Sequence, residues 1–475
     1  MMLIIAALIL FVAVLLVRTA KFQPKEQPEL STEAVEFDRG KAVSNLAELI
    51  RCKTISYSDH SLEDDAEFEK LIEKLPDLYP NVFEKCEFSR LPDRALLFHW
   101  HGKTAAEPAV MMAHYDVVPV NEEKWDKPAF DAIIEDGVMW GRGTLDTKGT
   151  FNGALFAADT LISQGYVPAH DVYLAFSGGE EVNGMGARNI VELFREKGIV
   201  PGIVVDEGGA VVENVFPGVK VPCGLIGIAE KGMMNAQFRT ISSGGHASAP
   251  KPNMPVDALA EACVEVVGHP FKMHLTKPVA EMFDTLGRHS TFLYRMIFAN
   301  LWCFGWVLDL LGKTSGGDMN ALLRTTVAFT QMEGSSARNV IPPEAKMVAN
   351  MRLNPADSVA SALEYLKKTV GNDKVEITAL ESFEPSRISR TDCDGWDRVA
   401  AAVGETWPGC IVSPYLMVQC SDSRHWGVIS DRVYRFSAMD LTAEERATIH
   451  GNNERVRLDG ICKAVEFYIR LMKKC

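Results

Sequence analysis

The chain has 475 residues, too many for one ordinary compact core, and its composition (47% hydrophobic, 24% charged) is that of a folded protein rather than a disordered one. A net charge of −14, with no stretch that concentrates positive charge, argues against a nucleic-acid partner. The ten cysteines are scattered without a CxxC pair, which argues against a zinc ribbon and leaves Cys263, Cys303 and Cys462, in apolar runs, as buried free thiols.

Residues 1–17 carry no charge, and Arg18, Lys21 and Lys25 follow at once. Such a run serves as an uncleaved membrane anchor or as the core of a cleaved secretory signal. The positive charge that normally precedes a signal core is missing, as is a small-x-small cleavage site, so the anchor is favoured. Membrane contact is therefore expected through this segment, with a secreted product if it is cleaved. Basic residues on the C-terminal side alone would keep the rest of an anchored chain in the cytoplasm. Residues 20–36, polar with Pro24 and Pro28, read as a linker.

Helical periodicity spans 37–52. Short apolar runs over 109–113, 172–176 and 202–205 then read as strands, with a helix over 153–164 between them. This alternation predicts an α/β domain with a mostly parallel sheet. Beyond 230 the pattern changes. Strands are expected over 233–241, 346–353 and 375–380, and helices over 255–267 and 358–370, the pattern of a smaller α+β domain. After Arg387 the α/β character returns. The expected organisation is an N-terminal segment (1–25), a first part of the main domain (26–230), an inserted domain (231–385) and a second part of the main domain (386–475). Within the insertion, 292–311 (FLYRMIFANLWCFGWVLDLL) is strongly apolar and reads as a buried helical pair, with an apolar substrate pocket or a dimer contact as alternatives. A second membrane span is not expected, because Arg295 and Asp309 interrupt the run.

The residues that carry chemistry sit at strand ends and turns. In MMAHYDVVPV (111–120), His114 can offer a neutral imidazole to a metal, and Asp116 can hold its other nitrogen and fix the tautomer. In WGRGTLDTKG (140–149), glycines allow a tight turn around Asp146. A carboxylate with two oxygens suits the bridge between paired metals. Lys148 and these glycines hint at a phosphate loop, but the P-loop spacing is absent. In SGGEEVNG (177–184), two adjacent glutamates, Glu180 and Glu181, can divide two tasks, one ligating metal and the other taking a proton from water activated by it. Asp206 and Glu207 lie in VVDEGG (204–209), and His450 lies in IHGNNERV near the C-terminus. Nitrogen and oxygen donors without thiolate suit catalytic zinc, with cobalt or manganese as alternatives.

Taken in order, HxDVVP, GRGxxDxKG, GxEE, DEGG, GGHAS and a late His-Gly resemble the aminoacylase and carboxypeptidase S family of co-catalytic zinc metallopeptidases, over nearly all of the chain after residue 37. NLW (300–302), ALLRTTVAFT (321–330), RNVIPPEA (338–345), NMRLNP (350–355) and SDSRHW (421–426) are similar to the branch of carboxypeptidase S and N-fatty-acyl-amino-acid synthase/hydrolases. The resemblance implies two zinc ions held by His114, Asp146, Glu181 and His450, with Asp146 bridging and the last ligand at Asp206 or Glu207. It implies Glu180 as general base, Asp116 as the residue orienting His114, and His246 as an oxyanion donor from a lid domain, often across a homodimer. Asn339, Arg352 and Arg424 resemble groups that hold a substrate carboxylate, for which the arginine fork is suited. The expected function is hydrolysis of amide bonds in peptides or N-acyl amino acids. The alternatives are N-fatty-acyl amino acid synthesis on the same site, or a non-catalytic scaffold with the same fold.

Overall fold

The computed structural model describes residues 1–25, 30–31 and 33–475. The linker expected over 20–36 therefore falls partly outside the described residues, Pro28 included. An edge hairpin, β1 (Glu87–Leu91) and β2 (Ala95–Trp100), leads into β3 (Thr104–His114). The second half of β3 is buried on both faces, so its sequence is an unbroken apolar run rather than an alternation. Short strands β4 (Ile133–Glu135) and β5 (Val138–Trp140) pair to one side. Then come β6 (His170–Ser177), β7 (Ile203–Val212) and β8 (Cys223–Glu230). A middle set follows: β9 (Gly232–Ile241), β10 (Gly245–His246), β11 (Thr326–Glu333), β12 (Val340–Ile341), β13 (Glu344–Leu353) and β14 (Glu376–Phe383). Finally, β15 (Ile411–Met417) and β16 (Val433–Leu441) rejoin the first sheet, and β17 (Arg455–Arg457) pairs with β5.

The main sheet has eight strands in the order β1-β2-β6-β3-β7-β16-β8-β15. It is parallel through its centre (β6, β3, β7, β16) and antiparallel at the β1–β2–β6 edge, in keeping with the α/β expectation. Strand alternation decides which helix covers which face. Val110 and Met112 of β3 meet Ile190, Val191 and Phe194 of the helix Gly186–Glu196. Ala109, Met111 and Ala113 face the opposite layer, built by the helices Lys148–Ser163 and Leu458–Lys474 through Phe151, Leu155, Phe467 and Leu471. Each large apolar side chain so removed from water contributes about 1.5–3 kcal/mol. This packing fixes the parallel strands and brings the ends of β3 and β6 to one edge, with His114 opposite Ser177.

The second sheet, β11-β13-β9-β14, is antiparallel and drawn wholly from residues between β8 and β15. The helices Pro255–Gly268 and Val359–Val370 cover its apolar face, with Phe238, Met347 and Met351 meeting Leu259 and Leu366. The strand β11 is missing from the sequence-based set. It is mostly exposed, so it lacks the apolar alternation that betrays β9 and β13.

The apolar run at 292–311 is not a buried helical pair. It forms two helices, Phe292–Ala299 and Leu301–Ser315, bent by 110° at Asn300, and Phe292, Leu293, Tyr294, Trp302, Trp306, Leu310 and Leu311 are exposed. The N-terminal helix Met2–Lys21 docks on this bend: Arg18 donates to the Ala299 carbonyl (3.1 Å), and Asn300 donates to the Leu15 carbonyl and the Thr19 hydroxyl.

Candidate metal centre

His114 closes β3 and is buried. Its Nδ1 lies 3.0 Å from the Asp116 backbone oxygen, an acceptor only, so Nδ1 carries the proton and Nε2 is left free for a further partner. The Asp116 carboxylate, 3.4 Å from the same nitrogen, has a second task. Its two oxygens accept the backbone N–H groups of Glu180 and Glu181, each at 3.2 Å. That pins the 3₁₀ turn Glu180–Val182, which follows β6.

Asp146 lies on the glycine-rich turn after β5. A buried carboxylate that sequence reasoning did not single out, Glu454, holds this turn by accepting the N–H groups of Gly143 (3.1 Å), Leu145 (2.7 Å) and Asp146 (3.2 Å) while paired with Arg142. Its signal was its place four residues after His450. Lys148 binds no phosphate loop of its own making: its ammonium donates to the carbonyls of Leu49 (3.1 Å) and Cys52 (2.6 Å), tying the turn to the helix Arg39–Ile50. Burial pulls its pKa down to about 8.

Two groups of three side chains meet at Asp146. In one, His114 Nε2 is 2.9 Å from Asp146 Oδ1 and 3.3 Å from Glu207 Oε1. In the other, His450 Nε2 is 2.9 Å from Asp146 Oδ2 and 3.1 Å from Glu181 Oε2. Each group thus offers one imidazole nitrogen and two carboxylate oxygens, and Asp146 gives one oxygen to each. That donor set and shared carboxylate fit a pair of divalent cations. The electrostatics point the same way. Burial, reinforced by the charge of Asp146, pushes Glu207 up to about 8. Hydrogen bonds to Asp146 and Glu181 push His450 up to about 11. Burial opposes it, but hydrogen bonds from His114 and His450 hold Asp146 well below the usual carboxylate range. Burial opposes it, but the neighbouring carboxylates push His114 well above the usual imidazole range as they do His450, so the pocket favours positive charge at both. Glu181 Oε1 is also buried without a hydrogen-bond partner among the described residues.

Of the pair left open in DEGG, Glu207 enters the group and Asp206 does not. Successive residues of β7 point to opposite faces. Asp206 is turned to the loop after β15, where it accepts the Ser423 N–H at 2.9 Å, and burial beside Asp422 pushes it up to about 7. The glycines that follow are required by close strand approach. A Cβ at Gly208 (φ +140°) would lie 2.6 Å from Met417 Sδ, and one at Gly209 would lie 1.8 Å from the Leu225 carbonyl oxygen.

Glu180 belongs to neither group. Burial pushes its carboxyl well above the usual range; His114 opposes this, and Asp422, Glu207 and Glu181 add to it. It lines a cavity of about 360 Å³ together with Asp146, Glu207, Cys420 and His450. A second cavity of about 320 Å³ shares Gly208, Ala210, Gln419, Leu441, Arg446 and Ile449 with the first and continues to Val215, Leu225, Met282 and Leu322.

The other predicted residues divide into two places. Arg352 and Arg424 converge beside Cys420: Arg352 Nη1 is 3.2 Å from its sulfur, and Arg424 donates to the neighbouring Ser421 carbonyl at 2.8 Å and stacks 4.8 Å over Phe383. His246, in β10, and Asn339, in the turn just before β12, lie together, exposed and outside both cavity linings, with His246 Nδ1 2.8 Å from Ser248 Oγ and the Asn339 carbonyl accepting the Ala247 N–H.

The chain is similar to known proteins along most of its length. The chain is 33% identical to an N-fatty-acyl-amino acid synthase/hydrolase of Xenopus tropicalis, over 99% of this chain and 93% of that one. It is 31% identical to a probable carboxypeptidase S-like protein of Dictyostelium discoideum, over 90% and 84% of the respective chains. An M20 family metallo-carboxypeptidase from Sulfolobus solfataricus has the same fold, with a TM-score of 0.67 at 18% identity, covering 91% of this chain and 98% of that one. The model of peptidase family M20/M25/M40 matches residues 110–474, a span that begins within β3 and takes in both ligand groups, and this chain is accordingly a hydrolase of that family.

Proposed function

We propose that this protein cleaves the amide bond between an acyl group and an amino acid with a free carboxylate, at a site holding two zinc ions, with cobalt or manganese as substitutes. The observation that carries the reading is the pair of ligand groups sharing Asp146, with the unligated Glu180 on the same cavity. His114 and Glu207 would hold one ion, His450 and Glu181 the other, and Asp146 both. Such a pair supplies Lewis acidity, easing ionisation of water and drawing electrons from the substrate carbonyl. Glu180 would take the proton of the attacking water and return it to the leaving amine. Asp116 keeps Glu180 in place through its backbone N–H.

Arg352 and Arg424 would bind the carboxylate of the amino-acid portion. The second cavity, reaching Val215, Met282 and Leu322, supports an apolar acyl group on the other side of the scissile bond. Condensation of fatty acids with amino acids is the same reaction reversed through the same transition state, and the name of the Xenopus relative favours it as a second reading. The N-terminal helix, twenty residues long with a hydropathy of 2.8 over its apolar window, would anchor the protein in a membrane.

The test is a screen of the full-length protein with dipeptides and N-acyl amino acids, each as free acid and as amide, with zinc present or chelated. Free acids are expected to be turned over only with metal. Their kcat/KM should exceed that of the amides by about 10–100-fold, the worth of one or two charged hydrogen bonds. Turnover that survives chelation would reject the metal mechanism, and equal rates on acid and amide would remove the carboxylate clamp.

The segment 231–385 would act as a lid and dimerisation domain that brings His246 to the substrate oxyanion, by closing or from a second subunit. His246→Ala is then expected to keep its metal and lose roughly 10²–10³ in kcat with little change in KM. Unchanged kinetics would discard the role. Mixing His246→Ala with Glu180→Gln should restore activity if the histidine acts across a dimer.

A further inference from the structure

The helices Phe292–Ala299 and Leu301–Ser315 carry a concentration of exposed apolar side chains of a kind that monomeric soluble proteins rarely show. Trp302 (60% exposed), Trp306 (68%) and Leu310 (51%) form one stripe at i, i+4 spacing, Leu311 (51%) is exposed beside it, and Phe292, Leu293 and Tyr294 are exposed on the helix before the bend. The charged residues that interrupt the run do not break this face. Asp309 is paired with Arg324 (2.8 Å) and Lys313 (2.7 Å), and Arg295 donates to Gln23 Oε1. Buried Leu308 and Gly312 hold the opposite face of the second helix to the protein.

What covers this stripe is indicated by its neighbour. The N-terminal helix packs on the same bend, with Phe11 edge-on to Trp302 at 6.0 Å. A twenty-residue helix is about 30 Å long, the thickness of the hydrocarbon layer. Phe11 lies roughly 15 Å along the axis from the basic end. Arg18, Lys21, Lys25 and Arg288 gather at that end, with Lys25 and Arg288 both on Asp284. The bend itself, held by Arg18 and Leu15, lies toward the basic end, where a span meets the interface, and Trp302 reaches deeper, beside the middle of the span.

We propose that the bent helix pair 292–315 is a lipid-facing platform, sunk into the leaflet at the basic end of the N-terminal helix, so that the catalytic body is held on the bilayer surface in one orientation. This rests on the anchor reading above, and it adds a second point of contact that a lone span does not have. The helix Lys277–His289, which leads into the platform, contributes Met282 to the apolar cavity, and Leu322 of that cavity follows the platform in the chain.

The experiment uses the full chain in phosphatidylcholine vesicles, with and without lipids carrying a nitroxide at shallow or deep positions along the acyl chain. Flotation of the vesicles reads the anchor, and tryptophan quenching reads the platform, because the N-terminal helix contains no tryptophan. The wild-type chain is expected to float and to be quenched. Trp302→Phe with Trp306→Phe should still float but lose most of the quenchable emission. Flotation without quenching, or quenching that the double variant retains, overturns the platform alone and would point to a second copy of the chain as the cover. Failure to float overturns the anchor and the platform together.

Discussion

Glu180→Gln is expected to bind two metal ions like the wild-type protein and to lose about 10²–10⁴ in kcat, the usual contribution of a positioned general base. The expectation comes from the division of labour in the turn after β6. Glu181 sits 3.1 Å from His450 Nε2 in one ligand group, while Glu180 is in neither group and opens on the cavity. Both backbones are pinned by Asp116, so an amide at 180 keeps the shape of the turn and removes only the proton acceptor. The same change at Glu181 should lower the metal content as well as the rate. Metal analysis of both variants beside their kcat values separates the two roles. A Glu180→Gln enzyme with near-normal kcat, or one that lost its metal, would show the roles to be misassigned.

The sequence displayed the metal site more readily than the rest of the molecule, and the reason is local. His114, Asp146, Glu180 and Glu181 lie on or just after strands and turns whose apolar runs and glycines are visible in one dimension. What was not visible depends on contacts between distant segments. Asp206 and Glu207 are equal as letters, and only the direction of β7 sends one toward His114 and the other toward Ser423. The second task of Asp116, holding two backbone N–H groups sixty-odd residues away, has no sequence signature. Glu454 was likewise hidden, since it acts on a loop three hundred residues earlier. The apolar run at 292–311 was misread for the opposite reason. Hydrophobicity told that it leaves water, but the bend at Asn300 and the docked N-terminal helix decide that it faces outward. The weak alternation of β11 concealed a strand that only its pairing with β13 reveals.

Asp146→Ala is expected to remove both metal ions at once, where His450→Ala removes only one. Asp146 places one oxygen 2.9 Å from His114 and the other 2.9 Å from His450, so its loss takes a donor from each group. Each group then retains one imidazole and one carboxylate, too few protein ligands for a catalytic zinc site, which normally has three. His450 serves one group only, and its removal leaves His114, Asp146 and Glu207 intact. Loss of the Lewis acid costs several kcal/mol of transition-state stabilisation, and each 1.36 kcal/mol is tenfold, so Asp146→Ala should lose at least about 10³ in kcat. A readout independent of activity comes from linkage. Ions that bind the folded chain raise its melting temperature, and removing them lowers it. Chelator should therefore lower the melting temperature of the wild type, lower that of His450→Ala by less, and leave that of Asp146→Ala unchanged. An Asp146→Ala protein that still bound one equivalent of zinc, and still lost stability to chelator, would show that the two groups do not share this carboxylate as their common ligand.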